Sequence, residues 1–196
     1  MSLLLRQAAD GRLVAMADLR DGSPPSPAIA EARQGGAVEL WAYGHGLDEH
    51  GFEPAPGYAR LHADRLPPGE PLPESDDLDA IVALLERCYV GLWGHWLPDR
   101  DLVALTAAKP HVRHLVLDDH GLCRVNTSER LIDAPGLAQA VRSPERYARL
   151  VLGAAALLGD GPADLESWGD PDETIDAYKA LGFRAEVLLQ GWRLPI

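Results

Sequence analysis

The chain has 196 residues, of which 46% are hydrophobic and 24% charged; this is enough for one domain of good size or two small ones, and its 19 glycines and 16 prolines stay below the level at which order fails. Thirty acidic against 18 basic residues give a formal charge of −12, which repels phosphate backbones and anionic headgroups and argues against nucleic acid or a membrane surface as partner. The longest apolar stretch, 149–158, carries an arginine and is too short to cross a bilayer, and residues 1–20 lack the apolar core of a secretion signal, so the expected location is the cytoplasm.

From the N-terminus, the apolar runs 3–5 and 13–19 flank Asp10-Gly11, a strong short hairpin signal, and predict strand, turn, strand. Ser23-Pro24-Pro25-Ser26-Pro27 breaks the backbone, after which 28–33 predicts a short helix stopped by Gly35-Gly36. Residues 38–43 and 58–64 read as strands on either side of a Gly- and His-rich loop. The segment 67–73, four prolines in seven residues, is the linker candidate, because proline cannot donate to a ladder and resists helix interiors. It divides the chain into 1–67 and 68–196.

Beyond the linker, Ser75 or Asp76 can cap a helix whose apolar positions Leu78, Ile81, Leu84, Leu85 and Cys88 recur at three and four. Asp99 can cap a second helix over 100–108, ended by Pro110. Runs 114–117, 122–126 and 131–138 predict three strands. Ser143-Pro144-Glu145 opens a third helix with an apolar face through Tyr147, Leu150, Val151 and Ala154. A strand at 164–168, a helix at 172–181 stopped by Gly182, and a closing strand at 186–194 complete a mixed α/β chain, α/β or α+β, with one mixed sheet. Cys88 in a helical pattern and Cys123 in a strand pattern make neither a metal cluster nor a disulfide framework.

The chain also resembles itself. Val38-Glu39-Leu40-Trp41 followed by Gly51-Phe52 parallels Leu165-Glu166-Ser167-Trp168 followed by Gly182-Phe183, and both copies close on Arg-Leu-Pro, at Arg65 and at Arg193. From Trp to Gly-Phe is 10 residues in the first copy and 14 in the second. The missing stretch is about one helical turn, so the first copy is expected to have lost most of a helix that the second keeps.

The run from Trp168 to Phe183, with its Tyr178-Lys179-Ala180-Leu181-Gly182-Phe183 ending, resembles the closing strand, helix and Leu-Gly-Phe signature of the GNAT acyltransferase superfamily. The tandem arrangement looks most like the two-domain members related to mycothiol synthase, with 1–67 as a truncated N-terminal lobe and 68–196 as the fuller C-terminal domain. The resemblance implies the GNAT acyl-CoA N-acyltransferase fold, acetyl-CoA as co-substrate and a small-molecule amine as acceptor. It gives Tyr178 the role of protonating the departing thiol, which a phenol of ordinary pKa about 10 can do at neutral pH; the alternative is a tyrosine that packs beside Leu181 and Phe183. It also maps the backbone of Leu137, Ala138 and Gln139 onto the groups that bond the cofactor arm.

The family marks its cofactor loop with Gln/Arg-x-x-Gly-x-Gly/Ala, and the aligned run here is Arg142-Ser143-Pro144-Glu145-Arg146-Tyr147. Glu145 and Tyr147 stand where small residues let amides approach a pyrophosphate, Pro144 deletes a donor, and Glu145 sets a carboxylate at the anion-binding end. Arg142, Arg146 and Arg149 can compensate by gripping phosphates with side chains, or they are simply solvated. For the base that deprotonates the amine, Asp133 and Glu166 are the candidates, each also readable as an outward strand residue.

Trp93, His95 and Trp96 can form an amphipathic wall for the acceptor, or plug the core. His111 and His114, three apart on a strand, point to opposite faces and suggest no metal; His45, Glu49 and His50 are left without a role. No Gly-x-Ser-x-Gly, His-Glu-x-x-His or Walker loop occurs. The leading expectation is an acyl-CoA-dependent N-acetyltransferase acting on a small amine. The alternative is a degenerate, non-catalytic GNAT-like protein that serves as a ligand-binding or interaction module. The edges of the two lobes either pack together or serve a homodimer.

Overall fold

The computed structural model describes residues 3–196, and all ten strands join one mixed sheet. β1 (Leu3–Gln7) and β2 (Leu13–Leu19) form the expected hairpin. α1 (Pro25–Gln34) begins three residues earlier than expected, because a proline in the first helical turn gives up only an amide that has no partner there. β3 (Glu39–Gly44) follows, parallel to β2, and a 3-10 turn at Leu47–His50 leads to β4 (Glu53–Ala63). The proline-rich segment then runs as a strap over the later helix 144–158, with Leu72 packed on Gly153, to a two-residue strand, β5 (Glu74–Ser75).

α2 (Leu78–Tyr89) is capped by Asp77, not Ser75 or Asp76: its carboxylate accepts from the amides of Asp79 and Ala80, while Ser75 is engaged in β5. α3 (Arg100–Ala107) is capped by Asp99 as expected. β6 (Val112–Leu117), β7 (Gly121–Asn126) and β8 (Leu131–Leu137) form an antiparallel meander, followed by α4 (Pro144–Leu158), β9 (Ala163–Trp168), α5 (Asp172–Ala180) and β10 (Arg184–Pro195).

The sheet order is β1-β2-β3-β10-β4-β9-β8-β7-β6-β5. The last strand of the chain is thus inserted between β3 and β4, while β4 is inserted between β10 and β9, antiparallel to both neighbours. The order β2, α1, β3, 3-10 turn, β4 parallels the order β8, α4, β9, α5, β10.

Strand alternation separates the two faces. Leu61, Cys123, Val125, Ile132 and Leu165 point toward α4 and α5 in the largest core. Their neighbours in sequence point the other way, where Leu122 and Val116 pack under α2. Similarly, Ala15 and Leu40 face α1, while Val14 and Trp41 meet Trp93 and Trp96 of the loop after α2.

β8 and β9 run parallel for only three pairs, Leu131–Asp164, Ile132–Leu165 and Asp133–Glu166. There β8 bulges: the pairing with β7 skips from Asp133 to Gly136, Ala134 takes a φ of +45°, and Pro135 has no amide to offer a neighbour. Beyond this point β8 and β9 no longer pair, and a notch opens in the middle of the sheet.

Candidate functional site

On the face of α2 and α3, a cavity of about 560 Å³ lies over β6–β8, within the usual range for small-molecule sites. Leu85, Trp96, Leu97, Leu102 and Val103 make an apolar wall, and the floor is polar. Asp133 occupies it as an ion pair with Arg124, whose Nε and Nη2 both donate to Asp133 Oδ2, the Nε bond at 2.8 Å. His114, only 5% exposed, lines the cavity beside them, and burial pulls its pKa down to about 4, so the ring is neutral at pH 7. Tyr89 adds a phenol whose pKa burial raises to about 12.

Beside Asp133, across the last paired position of the two strands, stands Glu166, on the same face. Its carboxylate accepts from the Tyr58 hydroxyl at 3.0 Å. Further along, Asp164 is held by Arg60 at 3.0 Å and by His62 at 2.7 Å. These groups form a polar strip on the sheet surface next to the cavity.

Tyr178 lies on the opposite face, fully buried in the core with α4. Its hydroxyl donates to Asp170 Oδ2 at 3.3 Å, and Ser167 Oγ donates to the same oxygen at 2.6 Å. Asp170 is buried, and loss of water pushes its pKa up to about 6 although both hydroxyls pull it down. The ring of Tyr147 meets that of Tyr178 edge-on at 6.2 Å. Tyr147 Oη points toward Asp170 without the geometry of a hydrogen bond; it and Asp170 Oδ1 are buried with no partner among the described residues.

The start of α4 is occupied from within. Arg142 donates from Nε to the Leu137 carbonyl at 3.0 Å and from Nη2 to Cys88 O at 2.8 Å and Val90 O at 2.6 Å, tying the end of α2 to the end of β8. The Ala138 amide donates to His120 O at 2.8 Å. Ser143 caps the Arg146 amide, and the Glu145 carboxyl is held below its usual range by its own amide and the Ser143 side chain. Arg146 and Arg149 both reach Asp118. Gln139 is exposed at the surface.

No protein-family model matches the chain, and no curated protein is similar to it in sequence. Solved structures are similar in shape. A GCN5-related N-acetyltransferase from Sphaerobacter thermophilus aligns at a TM-score of 0.54 and 13% identity, covering 98% of this chain and 76% of that one. Eis1 from Mycobacterium abscessus aligns at 0.52 and 15%, covering 100% and 59%. A GCN5-related N-acetyltransferase from Anabaena variabilis aligns at 0.55 and 10%, covering 97% and 57%. The chain has the fold of these N-acetyltransferases. At such identities the likeness is one of fold, and the chain spans under three fifths of the Mycobacterium and Anabaena proteins.

Within this acetyltransferase fold, the residues expected to act together fall into three groups. Asp133 and Glu166 are adjacent on one face. Tyr178 is on the other face, where it bonds Asp170 beside Ser167 and Tyr147, and the Trp93 carbonyl packs on the backbone of Gly169 just past β9. Leu137, Ala138, Arg142 and Arg146 cluster at the start of α4, the first three bonded to one another or to nearby backbone and Arg146 to Ser143 and Asp118. Of the three aromatic candidates, Trp96 lines the cavity. Trp93 and His95 are interior: Trp93 Nε1 donates to Trp192 O at 3.2 Å, its ring sits beside Trp41 and Tyr43, and His95 stacks near Tyr89 with its pKa pulled down to about 4 by burial.

Sequence reasoning did not single out Tyr89, Arg124 or His114 for the cavity. Strand alternation could have found two of them, since Arg124 and Asp133 pair across the β7–β8 hairpin and His114 pairs with Arg124 across the β6–β7 hairpin. Asp170 also went unassigned; the turn Gly169-Asp170-Pro171 before a helix was its only signal. Both cysteines are buried and free, and no helix is long and apolar enough to cross a membrane.

Proposed function

We propose that this chain is a GNAT-type protein that has kept an acceptor cavity for a small amine and has filled the place of the acyl cofactor with its own side chains. One observation carries this reading: the groups at the end of β8 that the resemblance assigns to the cofactor arm are already bonded, the Leu137 carbonyl to Arg142 and the Ala138 amide to His120. The residues present do not fit the cofactor. Tyr147 stands in the core where a small residue is needed, Pro144 lacks an amide, and the Glu145 carboxylate takes the anion-binding end of α4. An arginine that bonds three carbonyls has little left for a phosphate. We read the parallel orders of elements as two related lobes, the first truncated, that exchange their last strands.

The second reading is an acetyl-CoA-dependent N-acetyltransferase with Tyr178 as general acid and Asp133 or Glu166 as base. What favours it is placement: a phenol on one side of the β8–β9 notch and two carboxylates on the other are where acyl transfer through the notch needs them. Thermal unfolding separates the two. A ligand at 100 times its dissociation constant adds about 2.7 kcal/mol of stability, so millimolar acetyl-CoA should leave the melting temperature unchanged if the notch is closed, while 2-phenylethylamine should raise it. A rise with acetyl-CoA overturns the first reading in favour of the second.

A further inference from the structure

The floor of the cavity carries one positive and one negative group that are only half used. Arg124 spends Nε and Nη2 on a single oxygen of Asp133, so Asp133 Oδ1 and Arg124 Nη1 have no hydrogen-bond partner among the described residues. The Arg124 side chain is still 41% exposed, and that of Asp133 13%. His114 is nine-tenths buried, borders the same space, and its ring nitrogens bond nothing among the described residues. Above them the wall is apolar, and α3 buries none of its residues against the sheet, so Leu102 and Val103 border the cavity instead.

We propose that the cavity binds an α-amino acid with a large apolar side chain, its ammonium on Asp133 Oδ1, its carboxylate on Arg124 Nη1 and its side chain under α3. This deepens the amine-binding reading above and rests on it. The reasoning is one of charge balance. A simple amine would share a carboxylate that Arg124 already neutralises, and a simple acid would share a guanidinium that Asp133 already neutralises; each brings an uncompensated charge into a half-buried site. A polyamine meets no net negative field, because the floor sums to zero. A zwitterion satisfies both free atoms, with charge-assisted hydrogen bonds, and leaves the net charge of the site unchanged. The neutral ring of His114 can bond the ligand without adding charge, and the apolar wall leaves water rather than a polar chain as the group displaced by the side chain.

The test is isothermal titration of the full chain with four probes: L-phenylalanine, 2-phenylethylamine, 3-phenylpropionate and spermidine. L-Phenylalanine is expected to bind at least about tenfold more tightly than either single-charge analogue, as one good charge-assisted contact implies, with spermidine weakest. Asp133→Asn should lower it to the level of 3-phenylpropionate, and Arg124→Gln to that of 2-phenylethylamine. Should either variant melt early, Val103→Trp, which fills the cavity from α3 without touching the pair, should abolish L-phenylalanine binding. If 2-phenylethylamine binds as tightly as L-phenylalanine, the zwitterion is overturned while the amine reading stands. If none of the probes binds, both fall.

Discussion

Asp133 and Glu166 are register partners at the last paired position of β8 and β9, yet they answer to different neighbours: Arg124 holds the first, and the Tyr58 hydroxyl the second at 3.0 Å. The difference is measurable. Asp133→Ala removes the charge partner of a guanidinium that water already reaches, and should cost about 1–2 kcal/mol after that screening is allowed for. Glu166→Gln keeps an oxygen that Tyr58 can still donate to, and should cost less than about 0.5 kcal/mol. Urea denaturation of the two variants checks the order; a larger loss for Glu166→Gln would place the dominant charge in the polar strip rather than in the cavity floor.

The pair Tyr178 and Asp170 makes stability depend on pH. The Asp170 carboxyl titrates near 6 in the fold against 3.8 for the free group, because burial disfavours the anion. A raised carboxyl pKa means that its contribution is fully present below about pH 4 and is lost as pH rises through 6. About two pKa units correspond to roughly 3 kcal/mol. His95 and His114 act in the opposite sense: both are held near 4, so their contribution is present above pH 6.5 and is lost as pH falls toward 4. The two histidines outweigh the one carboxyl, so the raw profile still rises with pH, and the informative quantity is the difference between the protein and Asp170→Asn. The variant should gain relative stability from about pH 4 to pH 6 and level off above it. A flat difference would mean that Asp170 is ionised at little cost, with water reaching the cluster.

The helices and the β6–β8 meander were legible because each carries its own punctuation: Asp99 before α3, Ser143-Pro144 before α4, Gly182 after α5. Asp133 and Glu166 were readable as base candidates or as outward strand residues, and their pairing across β8 and β9 was not legible. The pairing of β4 with β10 was not legible, because the two strands lie more than a hundred residues apart and nothing in either names its neighbour. Nor was the use made of Arg142. A guanidinium aimed at a phosphate and one that ties together three backbone carbonyls look the same in sequence; only the positions of Leu137, Cys88 and Val90 decide it. The packing of Tyr178 with Leu181 and Phe183 was one of two readings open in the sequence, but its bond to Asp170 was not legible, because no periodicity announces an acid turned inward from the loop after β9.

Arg142 and Tyr147 should separate a structural from a cofactor-binding role. Arg142→Ala frees three carbonyls at once and should cost about 3 kcal/mol. Arg142→Lys should recover less than half of that, since one ammonium cannot span acceptors on α2 and β8 together. Tyr147→Phe deletes a buried hydroxyl that has no partner among the described residues and should stabilise by about 1 kcal/mol. Tyr147→Ala should lose about 3–5 kcal/mol through the cavity it leaves. Guanidinium melts check all four. A loss of more than about 1 kcal/mol in Tyr147→Phe would show that the hydroxyl is bonded to Asp170 in solution.

The pairing of β4 with β9 and of β10 with β3 bears on whether residues 1–67 and 68–196 are separable. In the sheet, β4 supplies the neighbour of both β9 and β10, and its Ala59, Leu61 and Ala63 belong to the core under α4 and α5. A fragment of residues 68–196 would expose an unpaired edge on each of those strands and open that core, a liability that polar edge residues alone do not offset. It should therefore be unfolded or aggregated on its own, and should recover a folded spectrum when residues 1–67 are co-expressed as a separate chain, because the cut falls in the proline-rich strap and not in a strand. Circular dichroism and amide proton spectra of the fragment alone and of the pair decide it. A fragment 68–196 that folds by itself would show that these residues close a sheet without β3 and β4 and form an independent domain.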